Sequence, residues 1–310
     1  MIEVDAGDPV SARRNFLGSA LVLPLMAVMP PPAAAAPLAT RTLPGDRRPL
    51  PVVGLGTWRS FDVGADSTAR AGLGRLLDRF AELGGTVVDS SPMYGSAEAV
   101  LGDLAAERGL RPRLFLATKV WTQGRQAGVA QMEESMRRLR APRIELMQIH
   151  NLVDWQLHLP LLREWKAAGR IRYIGISHYH SGAYAEVEQV LRSEALDFLQ
   201  INYSLAEPDS ARRLLPLAAE RGVAVIANRP FAEGALFDAV RGKPLPAAAA
   251  DHGCRSWAQL FLRWVLAHPA VACTIPASTR LDHLEDNMAA GLGPLPDLKE
   301  QKALARMAGF

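Results

Sequence analysis

The sequence predicts an α/β chain folded as a (β/α)8 barrel, and three observations carry that expectation. Eight short β-branched runs alternate with amphipathic stretches closed by glycine, their ends recur at intervals suited to one strand–helix unit, and polar residues collect at those ends. Of the 310 residues, 49% are hydrophobic and 22% charged, a globular balance that excludes disorder, collagen and coiled coil. The 35 basic and 32 acidic side chains leave a net +3 with both signs interspersed and no Lys/Arg run, so no nucleic-acid partner is expected. Two cysteines, Cys254 and Cys273, are too few for a disulfide framework or a four-cysteine zinc site and read as buried thiols.

Residues 1–36 read as an address rather than as fold. Arg13-Arg14 stands directly before the apolar run Phe16 to Met29, which is too short to cross a membrane as a helix of about 20 residues. Ala33-Ala34-Ala35-Ala36 follows with a small-x-small cleavage site, and a cut after Ala35 keeps Pro37 from standing directly behind it. The arginine pair with Phe16-Leu17 resembles a twin-arginine export signal; Sec export and an uncleaved apolar anchor are the competing readings. The resemblance implies passage through the twin-arginine translocase to the bacterial periplasm, with no stable membrane anchor, and a single barrel domain over residues 37–310.

The strands come in order as Val52–Gly56, Thr86–Ser90, Leu114–Val120, Ile144–His150, Ile171–Ser177, Phe198–Tyr203, Val223–Ala227 and Val271–Pro276. Between the first two, Arg70–Leu83 places Leu73, Leu76, Leu77 and Phe80 at helical spacing, with Gly84 as its stop. Pro208-Asp209 opens a second clear helix, Ser210–Arg221, which Gly222 ends. From Asp89 to Lys119 is 30 residues, to His150 31 more, to Ser177 27, to Gln200 23 and to Asn228 28. Each interval fits one βα crossover between parallel strands. The last, Asn228 to Ile275, is 47 residues and contains Pro244-Leu245-Pro246 and four alanines, so a long loop is expected there. A doubly wound sheet is the alternative, but Gly54-Leu55-Gly56 lacks the third glycine of its phosphate-binding turn.

In a barrel the active site lies at the C-terminal ends of the strands. Asp89, Lys119 and His150 end three successive strands, and Tyr94 follows the acid by five residues. Singly, each has an ordinary structural explanation: a helix cap, a rim contact, a hydrogen-bonded core histidine. Lys119 stands out, because 30 of the 35 basic residues are Arg and a lysine after Leu114-Phe115-Leu116-Ala117-Thr118 points to a need for a compact ammonium. Together their chemistry is coherent. A phenol, with an ordinary pKa of about 10, needs a nearby cation to exchange protons near neutrality. Lys119 can supply that charge, Asp89 can hold it, and His150 can donate to the same oxygen as Tyr94 and polarise a carbonyl. Nothing in this set is an obvious covalent nucleophile, so hydride addition from a bound cofactor is the natural partner reaction.

These residues, with Gly54-Leu55-Gly56-Thr57-Trp58, Tyr94-Gly95, Thr118-Lys119-Val120, Ser135-Met136-Arg137-Arg138-Leu139 and Gln148-Ile149-His150, resemble the aldo/keto reductase superfamily from about residue 40 to 300. The resemblance implies a barrel that binds a nicotinamide cofactor and reduces a small aldehyde or ketone, with Tyr94 as proton donor, Asp89 and Lys119 tuning it and His150 orienting the carbonyl. It also implies nicotinamide and ribose contacts from Thr57, Trp58, Asp89, Ser177 and Gln200. Two departures accompany these: His178 stands where Asn is usual, and Asn228 where an aromatic commonly stacks on the ring. Pro230, Phe231 and Leu236, around Gly234, match a loop covering the pyrophosphate. Ser278, Arg280, Asp286 and Asn287 match the adenosine phosphate region, in which Ala277 replaces a common Lys. Arg280 and His283 can replace that charge, so the cofactor expectation leans to NADP(H) over NAD(H).

Other signals carry less. His178-x-His180 would place its rings on opposite faces of a continuing strand, and no carboxylate or cysteine cluster accompanies it, so no metal is expected. Trp58, Trp121 and Trp155 follow strand ends and can wall an apolar substrate pocket. A redox-silent nicotinamide-binding barrel acting as a sensor or subunit is the alternative function. A carbohydrate-active barrel would want two carboxylates flanking one cleft, and Asp89 is the only acid among the candidate catalytic residues.

Overall fold

The computed structural model describes residues 37–310; the arginine pair and its cleavage site lie outside the described residues. The described chain opens with a small antiparallel hairpin, β1 (Thr40–Thr42) and β2 (Pro49–Pro51). Eight strands then alternate with helices: β3 (Leu55–Gly56), α1 (Ser67–Glu82), β4 (Val87–Asp89), α2 (Ala97–Glu107), β5 (Phe115–Val120), α3 (Arg125–Arg138), β6 (Ile144–His150) and α4 (Trp155–Ala167). The second half continues with β7 (Ile171–Ser177), α5 (Tyr184–Ser193), β8 (Phe198–Asn202), α6 (Ser210–Glu220), β9 (Ala224–Asn228), α7 (Ala235–Ala239), α8 (Trp257–Leu266) and β10 (Val271–Thr274). Helices α9 (Leu281–Ala289) and α10 (Leu298–Ala308) end the chain.

Strands β3 to β10 lie side by side in chain order, and every neighbouring pair is parallel. Parallel bridges Val53 to Thr274 and Gly56 to Ala277 close the ring, so the expected (β/α)8 barrel is the fold. Closure explains the first glycine pair. A Cβ on Gly54 would lie 2.8 Å from the Val87 carbonyl oxygen, and one on Gly56 2.8 Å from that of Ile275. Backbones that approach this closely leave no room for a side chain.

Inside the barrel, Val87, Phe115, Leu146, Phe198, Ile226 and Cys273 form one buried cluster with Leu43 and Leu50 of the hairpin. The hairpin therefore supplies the floor of the barrel core. Arg41 fastens it by donating to the carbonyl oxygens of Leu266 (2.5 Å), His268 (2.6 Å) and Val271. The outer core lies between strands and helices, where α1 buries Leu73, Leu76, Leu77 and Phe80. That helix starts three residues before the expected Arg70, because the Asp66 side chain caps it by accepting from the Ala69 N–H at 3.0 Å. Gly84, at φ +85°, stops it as expected.

The long loop expected before the eighth strand is mostly helical. It holds α7, a 3-10 turn over Ala247–His252 and α8, whose first turn is capped by Ser256 accepting from the Gln259 N–H at 3.0 Å. Every residue of α8 from Gln259 to Leu266 is buried, the polar Gln259 and Arg263 included. The eighth strand ends at Thr274 rather than Pro276, and Pro276 has no N–H to extend it. Cys254 and Cys273 are both buried free thiols, as expected.

Replacing Gly56 with Ala drives a methyl group into the Ile275 carbonyl at the closing seam. A loss of about 1–3 kcal/mol in unfolding free energy is expected from such overpacking. Urea denaturation measures it, and an unchanged midpoint would show that the seam can open.

Candidate active site

The strand register brings the polar ends together. Lys119 is the cross-strand partner of Gln148, His150 of Ser177, and Ser177 of Gln200. Gln148 and His150 are two apart on β6 and so share the inward face. Asp89 ends β4, and Thr57 follows β3, its hydroxyl donating to the Asp89 carbonyl oxygen at 3.0 Å. Every residue of this layer is buried.

Lys119 is fully buried, and its ammonium donates to Asp89 Oδ2 at 2.6 Å and to the Ser90 carbonyl oxygen at 2.7 Å. Burial pulls its pKa down, but the Asp89 charge, helped by Tyr94, overcomes this and holds it above the ordinary 10.5. Asp89 Oδ1 accepts from Gln200 Nε2 at 2.8 Å and Gln148 Nε2 at 3.2 Å. The carboxylate is thus held by one cation and two amides. Gln148 and the Ser90 carbonyl were not among the expected site residues; the two-residue spacing from His150 is the signal that marks Gln148.

Tyr94 sits over this pair, with Lys119 Nζ 5.1 Å from its ring centroid. Sequence reasoning made the Lys119 charge the decisive influence on the phenol. In the structure burial outweighs it: the pKa is raised above 10, with Lys119 opposing the rise and Asp89 adding to it. The phenol therefore stays protonated through neutral pH. His150 meets Tyr94 edge to face, centroids 6.1 Å apart, and its Nδ1 lies 2.9 Å from Ser177 Oγ. Burial first, then the charges of Lys119 and His178, push its pKa down to about 2, so the ring is neutral. A Ser177 hydroxyl that donates to Nδ1 leaves the ring proton on Nε2, the tautomer in which Nε2 is a hydrogen-bond donor.

These groups lie in or beneath a cavity of about 610 Å³ at the C-terminal end of the barrel. Thr57, Trp58, Asp89, Tyr94, His150, Ser177, Gln200, Asn228, Pro230 and Phe231, all expected site residues, line it. Lys119 lies below the lining, out of solvent. Met93, Trp121, Asn151, Tyr179 and Phe237 complete much of the wall. Trp121 was expected there as an apolar wall; Trp155 lies instead on α4, packed against the core.

Five expected cofactor residues do not line the cavity. Leu236 is wholly buried in the core. Ser278 bonds within its own turn, and Arg280 points at Asp282 with a bidentate pair at 3.0 and 2.5 Å. Asp286 anchors α8 by accepting from Ser256 Oγ and Gln259 Nε2, both at 2.6 Å, and Asn287 is buried on α9. Ser278 and Arg280 follow Ala277, which does line the cavity, within three residues, but their side chains are turned to local partners. His178 and His180 do converge, ring centroids 4.6 Å apart, because the chain leaves the strand at Ser177 and bends. Burial, then the His180 charge, lower the His178 pKa to about 4. Among the described residues no cluster of three or more His, Cys, Asp or Glu is placed to hold a metal.

Comparison with known proteins agrees with this geometry. The model of the aldo/keto reductase family matches residues 52–303. Methylglyoxal reductase YeaE of Escherichia coli is 30% identical over 247 residues, covering 77% of this chain and 85% of that protein. An aldo-keto reductase from Klebsiella pneumoniae, solved in complex with NADPH, superimposes with a TM-score of 0.74 at 28% identity, covering 87% of this chain and 96% of that one. The holo form of a Bacillus halodurans aldo-keto reductase gives 0.69 at 23% identity over the same shares, a likeness of fold alone.

Lys119→Met leaves Asp89 buried without its cation, and a loss of about 3–5 kcal/mol of stability is expected. Lys119→Arg is expected to lose nearly as much, because a planar guanidinium does not fit a fully buried ammonium site. Thermal or urea unfolding compares them; near-native stability of Lys119→Arg would show that charge alone suffices.

Proposed function

The chain belongs to the aldo/keto reductase family, and from that premise we propose that it reduces an aldehyde or ketone to the alcohol with NADP(H), Tyr94 supplying the proton. The observation that carries this reading is the buried Lys119–Asp89 pair set directly beneath Tyr94, with a neutral His150 beside the phenol. The cavity suits a dinucleotide. The turn after β9, which contributes Arg229, Glu233 and Gly234 to its wall, has positive φ at Arg229, Ala232, Glu233 and Gly234. Phe231 with Ala232, and Gly234 with Ala235, pair a right-handed with a left-handed conformation, the pattern of the concave backbone nests that receive phosphate oxygens. The Klebsiella relative binds NADPH, which supports the choice of NADP(H) here.

When bound, the cofactor supplies a hydride to the carbonyl carbon. The side chains manage the oxygen. His150 donates its Nε2 proton to the carbonyl oxygen and polarises it, and the protonated Tyr94 hydroxyl transfers its proton as negative charge builds there. The charge left on the phenol faces Lys119, whose proton Asp89 retains at 2.6 Å. A neutral histidine beside a protonated phenol gives one hydrogen-bond donor and one proton donor at neutral pH. No observation favours a redox-silent barrel: the four groups are intact and arranged for transfer.

Cofactor selectivity is assigned to Arg280. Among the described residues its guanidinium is held only by the exposed Asp282 carboxylate, and a phosphate can replace that partner bidentately. Ala277, Ser278 and His283 border the same turn, with Asp286 and Asn287 on the helix behind it. The protein is further proposed to be exported through the twin-arginine translocase to the periplasm, on the strength of Arg13-Arg14, the short apolar run behind them and Ala33–Ala36. Twin-arginine export carries folded proteins, so the dinucleotide can be loaded before export. Binding to the native state alone adds about 2.7 kcal/mol at a hundredfold excess over Kd.

Tyr94→Phe is expected to lose carbonyl reduction by orders of magnitude while still binding NADPH; near-normal turnover would remove Tyr94 from the mechanism. In the unaltered enzyme the reduction rate, kcat/KM, is expected to stay level through neutral pH and to fall only where the phenol ionises, above pH 10, because its pKa is raised. Arg280→Ala is expected to weaken NADPH binding about tenfold while changing NADH binding little. Equal losses, measured by titration calorimetry, would leave Arg280 a structural role only. Mature protein isolated from the periplasm is expected to carry bound dinucleotide. A folded, empty barrel, or a chain retained in the cytoplasm, would refute co-export.

A further inference from the structure

The N-terminal end of the barrel, opposite the cavity, is unevenly charged. Residues 107–114, 139–143 and 168–172, which lead into β5, β6 and β7 or open them, hold seven arginines and one acid, Glu107. The turn of the β1–β2 hairpin adds Arg47 and Arg48 with Asp46. Residues 194–197 and 220–223, which lead into β8 and β9, hold Glu194, Asp197 and Glu220 against Arg221 alone. The positive charge is therefore a sector of this end. No run of basic residues marks it in the sequence, because its arginines stand about one βα unit apart and parallel strands bring them together.

Contacts fix the sector's centre. Phe115, Tyr173 and Phe198 pack together near the strand starts, the first two stacked with centroids 5.8 Å apart. Arg48 lies over the Phe115 ring and Arg172 over the Tyr173 ring, each guanidinium carbon 5.4 Å from the centroid. Arg111 donates to the Arg143 carbonyl oxygen at 2.6 Å, which sets those residues side by side. The nearby acids are already engaged: Asp46 by Arg172 and Tyr173, Glu145 by Arg111 and the Leu116 N–H. Among the described residues, Arg47, Arg48, Arg113 and Arg143 have no carboxylate partner. On the flanks of the barrel Arg79, Arg125, Arg163 and Arg241 each have one.

Several unpaired guanidiniums on one face call for several anions in a plane, each able to accept bidentately, and phosphate esters have that form. The start of the chain points to their source. Leu38 bridges Leu292, where α9 has returned to the strand starts, and the Ala39 N–H donates to the Gly291 carbonyl oxygen at 2.8 Å. The described chain thus begins at this same end. Eight residues lead from Met29, the last of the apolar run, to Pro37, a reach of at most about 29 Å. A bilayer that takes up that run lies close to the basic end. We propose that this sector is a docking face for an anionic phospholipid surface, its arginines pairing with headgroup phosphates. The contact is peripheral, leaves the cavity open at the opposite end, and does not depend on the carbonyl-reduction reading.

The test is flotation of the full chain with vesicles of phosphatidylcholine, alone or mixed with phosphatidylglycerol, at about 0.1 M salt, where the screening length is about 10 Å. Each arginine near an anionic leaflet contributes about fivefold in binding. Arg47→Gln/Arg113→Gln/Arg143→Gln is expected to lose about a hundredfold in affinity for the anionic vesicles and little for the neutral ones. Arg47→Gln/Arg143→Gln keeps the Arg113 bond to the Ala81 carbonyl oxygen and is a milder variant, with an expected loss of about twenty-five-fold. The control Arg75→Gln/Arg125→Gln/Arg212→Gln removes as much charge from α1, α3 and α6 and is expected to bind as wild type. Arg13 and Arg14 stay in every variant, so the comparison isolates the face. Unfolding midpoints certify the folds. Equal losses in the control, a wild type without preference for anionic vesicles, or unchanged binding by the folded double variant would overturn the proposal. Release by millimolar glycerol 1-phosphate would overturn it too, as the mark of a site for free phosphate.

Discussion

Everything at the C-terminal end of this barrel depends on one ion pair, Lys119 with Asp89, both essentially removed from water. Such a pair is costly to bury, and it persists only because each partner's remaining hydrogen-bonding capacity is met. Lys119 has the Ser90 carbonyl oxygen as a second acceptor, and Asp89 has Gln148 and Gln200 as donors. The result is a proton fixed at Nζ and a field fixed beneath Tyr94. Because burial raises the phenol's pKa more than the ammonium lowers it, the resting state is a protonated donor above a permanent cation. The cation's value lies in the charge that develops when the proton leaves, rather than in ionising the phenol beforehand.

Holding that pair requires neighbouring strands in one register, and the register requires a closed ring. Gly54 and Gly56 let β3 lie close against both neighbours, and the bridges to Thr274 and Ala277 close the sheet. The β1–β2 hairpin fills the opposite end with Leu43 and Leu50, so that end is packed with side chains and the cavity opens only at the C-terminal end. Stability is concentrated at the floor and chemistry at the rim, the division expected of this architecture.

The repeat was legible in the sequence because each βα unit restates the same pattern, and the strand ends at Asp89, Lys119, His150, Ser177 and Gln200 fall where the spacing puts them. The hairpin was not: three-residue strands bearing Pro49 and Pro51 have no period to read. Helix α8 does carry a helical signal, Gln259 and Arg263 four residues apart in an apolar run, but both polar residues are buried rather than solvated. At the site, a lysine in an arginine-rich chain and a histidine ending an apolar strand could be read as functional. The balance of burial and charge on Tyr94 could not, since it depends on how completely the cavity floor excludes water. Nor could the engagement of Asp286 with Ser256 and Gln259, which joins residues about thirty apart along the chain.

The cavity wall divides by chemistry as well as by position. Around Tyr94 and His150 it is mostly aromatic and thioether surface, with Trp58, Trp121 and Met93 each more than a third exposed. Around β9 it is amide and charged, with Asn228, Arg229 and Glu233, and Arg229 is held by Glu207 and Glu233. A carbonyl compound approaching the apolar side meets little that hydrogen-bonds except the two groups that act on its oxygen. An apolar wall contributes binding without orientation, so the pose of the reacting carbon is left to Tyr94 and His150. On the other side, a chain of amides that begins at Asp89 fixes Gln200 and Asn228 in place. The same carboxylate therefore holds both sides together: it pairs with Lys119 beneath the phenol, and through Gln200 it fixes the Asn228 amide at the end of β9.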